Sequence, residues 1–214
     1  GTRSTSFVHN NGTDENRVLI LYIVNAGFYS VTVTPTSAGV NLTNVFEDSI
    51  AYAGSRRSYL WVGYLIAPAT GSSTIEITID GSGPLDCAAY AATYSGASQD
   101  SSNLFKTGQE ESAELADNNS EPGGMAFSIS STTDANSLII NAWSTNYIDS
   151  HGGRTAGQTE RVELGYGSTG RISVTDSPGD GGAITVSGSG TGNSSGATYE
   201  AWVDVLLPPQ NVSV

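Results

Sequence analysis

The segment at residues 60–80, LWVGYLIAPATGSSTIEITID, constrains the fold most, because two strand-like runs flank a short turn segment. The second run alternates strictly between isoleucine and polar residues from Ile75 to Asp80, which is the period of a strand with one buried face. Between the runs, Pro68 fixes φ and Gly71 tolerates a positive φ, so the chain can reverse there. The segment predicts a β-hairpin whose buried face carries Trp61, Leu65, Ile75, Ile77 and Ile79.

The same alternation of strand-like runs with Gly, Pro, Asn and Asp turns recurs along the 214-residue chain and predicts about a dozen strands. These lie at residues 5–8, 17–25, 29–35, 41–46, 58–66, 73–80, 86–95, 124–131, 137–144, 157–166, 170–175, 183–188 and 198–207. The best helix candidate is residues 109–116. We expect an all-β fold, a single-domain β-sandwich of jelly-roll type over residues 1–214, with 1–9 as an exchangeable N-terminal strand and 208–214 as a C-terminal tail.

Two runs, residues 18–24 and 138–143, are almost continuously apolar instead of alternating. Such runs are typical of strands that are buried on both faces or lie in the centre of a sheet. Each run begins within a similar six-residue sequence, Asn16-Arg-Val-Leu-Ile-Leu or Asn136-Ser-Leu-Ile-Ile-Asn, and this similarity suggests an internal repeat. One short match does not establish a repeat.

The charge balance excludes some partners and suggests a cellular setting. The formal net charge is −13 and Lys106 is the only lysine, so the basic stripe that phosphate binding needs is missing. Ser and Thr together make up 52 of the 214 residues, a composition typical of extracellular β proteins. The longest apolar run is far shorter than a bilayer-spanning helix. We therefore expect an extracellular or particle-surface protein that neither binds nucleic acid nor inserts into a membrane.

Three segments of the first half resemble a known module. Residues 17–21 (RVLIL), 64–71 (YLIAPATG) and 88–96 (AAYAATYSG) are similar to a β-sandwich module of secreted bacterial and virion proteins. That module runs R-x-L-x-V, then W-Y-L-x-x-P-x-x-G-x-x-x-V, then a small-residue strand that ends in S-G. The chain departs from it at Gly63, where the module prefers Trp, and Trp61 lies two residues earlier on the same strand face. The resemblance implies an extracellular structural or adhesive role and transfers no catalytic residues.

No constellation of catalytic residues is recognisable in the sequence. The two histidines, His9 and His151, are far apart, and His151 falls in a turn where an exposed side chain is expected. Cys87 is the only cysteine and has alanine neighbours, which favours a small core residue. The G-x-S-x-G match at residues 192–196 lies in Gly/Ser-rich sequence without the strand and helix that a nucleophile elbow requires. Glu110, Glu111, Glu114, Asp117 and Glu121 are expected in a solvated loop. We expect a non-enzymatic protein.

Two kinds of surface chemistry remain open. The oxygen-rich turns around Asp176 and Asp180, and around Asp134, could bind calcium, although such turns commonly use Asp and Asn for local hydrogen bonds alone. Sequons for N-glycosylation occur at Asn11, Asn41, Asn118, Asn193 and Asn211. Asn11, Asn118 and Asn193 are expected in surface turns and are the preferred acceptors.

The leading functional hypothesis is a structural subunit of an extracellular homopolymer, either a pilus-like filament or a virion surface. The subunits would join through sheet edges or by donor-strand exchange. The expected assembly residues are those of the N-terminal strand, Thr2, Ser4, Ser6, Phe7 and Val8. The alternative is a carbohydrate-binding or adhesin module, which predicts a line of exposed Trp or Tyr side chains on one sheet. Trp61, Trp143 and Trp202 all lie in apolar strand contexts, which favours core packing.

Overall fold

The computed structural model describes residues 1–27, 31–52, 56–81, 85–106, 111–116, 125–146, 150–152, 154, 156–166, 170–191 and 198–208. Within these ranges the chain forms sixteen β-strands and one 3₁₀ helix (Ser101–Asn103). The strands are β1 (Thr2–Asn10), β2 (Val18–Gly27), β3 (Val31–Ser37), β4 (Val40–Asn41), β5 (Thr43–Tyr52), β6 (Arg56–Ile66), β7 (Ser72–Gly81), β8 (Leu85–Tyr94), β9 (Glu111–Ala116), β10 (Met125–Thr132), β11 (Leu138–Asn146), β12 (Ser150–Gly152), β13 (Thr159–Tyr166), β14 (Gly170–Pro178), β15 (Ala183–Thr191) and β16 (Thr198–Leu206). The predicted all-β class is confirmed, whereas neither jelly-roll winding nor a dozen strands is.

All strand pairs described are antiparallel and form four sheets. Sheet A has the order β1-β7-β3-β4, sheet B β5-β6-β2-β8, sheet C β13-β14-β11-β16-β9, and sheet D β10-β15-β12. Sheets A and B enclose one buried apolar cluster and sheets C and D enclose another. The largest buried cluster lies between sheets B and C. The sheets are therefore stacked in four layers, as a first sandwich (A and B) and a second sandwich (C and D).

The stacking explains the two continuous apolar runs. Residues 18–24 of β2 are at most 1% exposed, and residues 139–143 of β11 at most 3%. Each strand lies in the interior of an inner sheet and contributes side chains to two of the three buried clusters. The prediction was a strand that is buried on both faces or central in a sheet, and residues 18–24 and 139–143 are both.

The two sandwiches repeat one strand order. The order β1-β7-β3 in sheet A corresponds to β10-β15-β12 in sheet D, and β5-β6-β2-β8 in sheet B corresponds to β13-β14-β11-β16 in sheet C. A register shift between Asn44 and Phe46 in β5 recurs between Glu160 and Val162 in β13. Asn16 and Asn136, which precede β2 and β11, both have positive φ, 52° and 66°. The two similar six-residue sequences, at residues 16–21 and 136–141, therefore lie at equivalent positions of a repeated fold.

The predicted hairpin at residues 60–80 is wrong in its pairing. β6 pairs with β5 and β2 in sheet B, whereas β7 pairs with β1 and β3 in sheet A. The chain does reverse at Gly71, whose φ is 75°, but it crosses from one layer to the other there. The predicted buried face is confirmed, because Trp61, Ile75, Ile77 and Ile79 share one cluster and Leu65 packs against it. Alternation reveals which face is buried, and it does not reveal whether two such strands lie side by side or face to face.

The predicted helix at residues 109–116 is also wrong where the structure describes it. Residues 111–116 form strand β9, which pairs with β16 at the edge of sheet C. The Glu, Ala and Leu residues of this segment favour a helix, and pairing with the edge of β16 overrides that preference because it satisfies the backbone of the segment. Of the acidic group expected in a loop, Glu111 and Glu114 lie in β9, and the other three lie outside the described residues. Within the described part, no helix is long and apolar enough to cross a bilayer.

Candidate functional site

Two edge strands lie on the same side of the first sandwich. β1 is the outer strand of sheet A and β8 is the outer strand of sheet B, and no other strand of the described residues pairs with their outer edges. The two strands meet where Nε2 of His9 lies 2.9 Å from Oγ1 of Thr93. We call this side, formed by β1 and β8, the open edge.

Between the two strands of the open edge the core of the first sandwich reaches the surface. A cavity of about 270 Å³ opens there, which we call the groove. The side chains that give it apolar character are Phe7, Ile77, Ile79, Cys87 and Ala89. Burial, followed by the neighbouring charge of Asp86, raises the pKa of the Cys87 thiol to about 11. Cys87 therefore stays a thiol at neutral pH and packs as the small apolar residue that the sequence predicts.

The same side of the second sandwich is closed. There β16 corresponds to β8, and β9 pairs with residues Thr198 to Val203 of β16. β9 also contacts β10, the strand that corresponds to β1. A strand therefore covers in the second sandwich the side that is open in the first.

The predicted assembly residues all lie on β1, which pairs with β7 of the same chain in an unbroken register from Thr2 to Asn10. Thr2, Ser4, Ser6 and Val8 are exposed, and Val8 is 69% exposed. Phe7 is partly buried beside the core of the first sandwich. β1 contains no Pro, no bulge and no acidic residue, and Arg3 is its one formally charged side chain at neutral pH. Proline, bulges and charged side chains commonly prevent an exposed edge strand from pairing with another chain. Because β1 has only Arg3 of these, most of its outer edge is unprotected.

The sequons fall in three different environments. Asn11 is 1% exposed, and its Nδ2 donates to the carbonyl of Ala69 and to Oγ of Ser73, both at 2.9 Å. The prediction of Asn11 as a surface acceptor is therefore wrong, because its amide ties the β1–β2 turn to the turn before β7. Asn41 is exposed in β4. Asn118, Asn193 and Asn211 lie outside the described residues, as does the G-x-S-x-G match.

The carboxylates considered for calcium have protein partners. Asp176 is 3% exposed, and both of its oxygens accept hydrogen bonds from Arg161, at 2.5 and 2.9 Å. Asp180 is exposed, and its Oδ1 accepts the backbone N–H of Gly182 at 2.8 Å, which is a local turn bond. Asp134 pairs with Lys106. Among the described residues, no group of three or more His, Cys, Asp or Glu side chains is arranged to hold a metal ion.

His151 is buried, so the expectation of an exposed turn residue is wrong. It lies in β12, where it pairs with Gly190 of β15, and its ring stacks on Trp143 at 4.0 Å. Its Nε2 lies 2.8 Å from Oγ1 of Thr145. Burial, followed by the charges of Arg171 and Arg154, lowers the pKa of His151 to about 3. A neutral, stacked imidazole of this kind serves packing in sheets C and D.

The three tryptophans are core residues, as their sequence contexts predict. Trp61, Trp143 and Trp202 are 3%, 2% and 0% exposed. Of the tyrosines whose side chains are described, Tyr22 and Tyr59 are buried, and Tyr64, Tyr90 and Tyr94 are partly buried. The line of exposed aromatic rings that a flat sugar platform needs is therefore not formed by the described side chains.

Comparison of the chain with protein-family models, with curated proteins and with solved structures finds no match.

Proposed function

We propose that the protein is a non-enzymatic structural subunit that assembles with copies of itself at the open edge. The setting we propose is extracellular, in a pilus-like filament or on a virion surface. One observation carries the proposal: the first sandwich leaves open the side that β9 closes in the second sandwich. An edge strand of a second copy is the proposed occupant.

The second sandwich provides the template for strand addition. β9 pairs with β16 from Thr198 to Val203, and the corresponding stretch of β8 runs from Asp86 to Ala91. A strand added to β8 would satisfy the outward-facing backbone groups of that edge. It would also cover the groove, where burial of apolar surface stabilises the complex by about 25 cal/mol for each Å². Backbone pairing together with filled side-chain sites is how β-strand addition gains affinity.

Charge limits where copies can meet. With a net charge of −13, two copies repel each other over most approaches. β1 carries no acidic residue, and Asp86 is the sole acidic residue from 86 to 91 of β8. The open edge is thus a part of the surface where two acidic copies can approach with little direct repulsion.

The test is a pair of lysine variants on sheet A. Ser6→Lys adds a charge to the exposed face of edge strand β1, and Thr74→Lys adds the same charge to the exposed face of β7, which lies between β1 and β3. We expect the wild type and Thr74→Lys to form filaments or shells in electron micrographs and large species in sedimentation velocity. Ser6→Lys should remain dispersed, because a charge on an edge strand opposes edge pairing.

A second variant tests the groove itself. Ala89→Arg places a long charged side chain in the groove, and we expect it to block assembly while leaving a cooperative thermal transition. Dispersed monomers of the wild type at every concentration and salt condition would overturn the proposal. So would normal assembly of both Ser6→Lys and Ala89→Arg.

A further inference from the structure

A second concave surface lies where the two sandwiches meet. It is a cleft of about 410 Å³ between the β1–β2 turn, the C-terminal end of β8 and Arg161 of β13. No residue lines both this cleft and the groove of the open edge. The volume falls within the range of small-molecule sites, which is about 300–1,000 Å³.

The cleft wall contains a fixed polar network. The hydroxyl of Thr93 donates to Oδ1 of the buried Asn11 at 3.3 Å, and Asn11 is itself held by two further hydrogen bonds. Because the Thr93 hydroxyl has one proton to donate, its 2.9 Å contact with His9 is a bond that it accepts from Nε2–H. Burial lowers the pKa of His9, so the ring is neutral at pH 7 and its Nδ1 is left as an acceptor. The network thus fixes the tautomer of His9.

The opposite wall carries Arg161, which lies at the bulge of β13 between Glu160 and Val162. Bulges redirect side chains and are common next to binding sites. Asp176, which is nearly inaccessible, holds the guanidinium by Nε and one Nη, while the Arg161 side chain remains 46% exposed. A rigidly held fork with free donors is suited to directional hydrogen bonds.

The repeated fold shows what this position becomes when it is filled. By the strand registers, Val45 corresponds to Arg161, Trp202 to Tyr90 and Leu206 to Tyr94. Phe105 occupies the space beside Trp202: its ring packs on Trp202 at 6.3 Å and on Tyr64 of the first sandwich at 5.7 Å, and its backbone bridges to Leu206. Beside Tyr90 the corresponding space is a cleft with hydroxyl, imidazole and guanidinium groups on its walls.

The charges of the cleft balance. Arg17 and Arg161 are offset by Asp14 in the lining and by Asp176 behind Arg161, and His9 is neutral. A neutral ligand with several hydroxyl groups matches such donors and acceptors, because a charged ligand would leave its own charge without a counterpart. We propose that the cleft binds a neutral sugar residue of a glycan, with the ring of Tyr90 facing the apolar side of the sugar.

The proposal does not depend on assembly at the open edge. It assigns the hydrogen bonding to His9, Thr93 and Arg161, and the aromatic contact to Tyr90, which stacks at 6.3 Å on the buried Tyr22. A sugar in this position would touch both sandwiches. Bound ligand should therefore raise the melting temperature of the whole chain, since it binds only the folded state.

The experiment is an amide NMR titration of the full chain with cellobiose, maltose, lactose, mannobiose and chitobiose. Glucuronic acid and glucosamine serve as charged comparisons. At least one neutral disaccharide should shift the amides of residues 9–14 and 90–95 and of Arg161. Thr93→Val, which removes the central hydroxyl, should weaken that binding about tenfold. Thr34→Val, an exposed threonine on β3, is the matched control and should bind as the wild type does.

Shifts confined to the cleft that are weakened by Thr93→Val would support the proposal, provided that the variant melts cooperatively. A Thr93→Val variant that unfolds is replaced by Tyr90→Leu, which removes the aromatic face and should also weaken binding. No shift with any neutral disaccharide would overturn the proposal. Shifts elsewhere on the surface, or stronger binding of glucuronic acid or glucosamine, would overturn it as well.

Discussion

The ion pair between Arg161 and Asp176 gives the sharpest test of the junction between the sandwiches. The Asp176 side chain is 2% exposed and that of Arg161 is 46% exposed. Arg161→Met leaves a buried carboxylate without a partner, and the expected loss is about 3–5 kcal/mol in the free energy of unfolding. Asp176→Asn leaves a guanidinium that water can reach, so the expected loss is about 1 kcal/mol. Replacing Arg161 should therefore cost several times more free energy of unfolding than replacing Asp176.

Urea unfolding followed by tryptophan fluorescence measures both losses, with the m-value as a check on two-state behaviour. The double variant Arg161→Met/Asp176→Leu should recover most of the loss of Arg161→Met, because no buried charge remains. The control is Lys106→Met, which breaks the pair with the 53% exposed Asp134 and should cost no more than about 1 kcal/mol. Equal costs for Arg161→Met and Asp176→Asn would refute the reasoning, and so would simple additivity in the double variant.

Three further predictions concern packing, pH and salt. Gly63→Ala should destabilise the protein by about 1–3 kcal/mol in urea unfolding, because an added Cβ would meet the Trp61 ring and lie 2.7 Å from the Thr43 carbonyl oxygen. The control is Gly165→Ala, whose added Cβ would have its nearest contact at 3.9 Å and should cost little stability. The pKa of His151 is about 3 in the folded protein against an ordinary 6.5, so between these pH values the unfolded chain binds more protons than the folded one. The contribution of His151 to stability is therefore complete above pH 6.5 and is lost toward pH 3, by up to about 1.4 kcal/mol per pH unit. His151→Phe should make the free energy of unfolding depend less steeply on pH in this range. Self-association should strengthen from low salt to about 0.15 M NaCl in sedimentation velocity, because that salt shortens the Debye length to about 8 Å and screens the repulsion between acidic copies; weaker association would contradict an interface limited by net charge.

The layer order could not be predicted from the sequence, although the buried faces could. The alternation from Ile75 to Asp80 identifies the inward side chains because period two is a local property of the strand. Whether β7 pairs beside β6 or faces it depends on β1 and β3, which are distant in the chain. The same limit explains the wrong helix at β9: its structure is determined by the free edge of β16, which is more than eighty residues away in sequence.

The sequence predicts one strand of the open edge. A short N-terminal strand next to an Asn/Gly turn suggests a segment that can be exchanged between copies, and the structure shows residues 2–8 in the outer strand of sheet A. β8, the other half of the open edge, gave no signal because an outer strand and an inner strand can have the same small-residue composition. Arg161 also gave no signal, because a bulge appears only in the pairing register. The polar sequences around Asn11 and His151 predict turns with exposed side chains, and in both cases tertiary contacts bury the side chain.

A repeated fold supplies its own comparison, because two sandwiches of one strand order should bury equivalent positions equally. They differ where the chain between β8 and β10 is used. Ser98 and Lys106 donate backbone hydrogen bonds to Leu207 and Val205 at the end of β16, Phe105 fills the space beside Trp202, and β9 closes the edge. All of these contacts serve the second sandwich. The open edge and the cleft therefore have one origin. Both involve β8, the cleft together with Arg161 of the second sandwich, and the connecting segment fills the two corresponding places along β16. We therefore expect the binding surfaces of the protein to lie along β8. On its counterpart β16 the edge is covered by β9, and the space beside Trp202 is filled by Phe105.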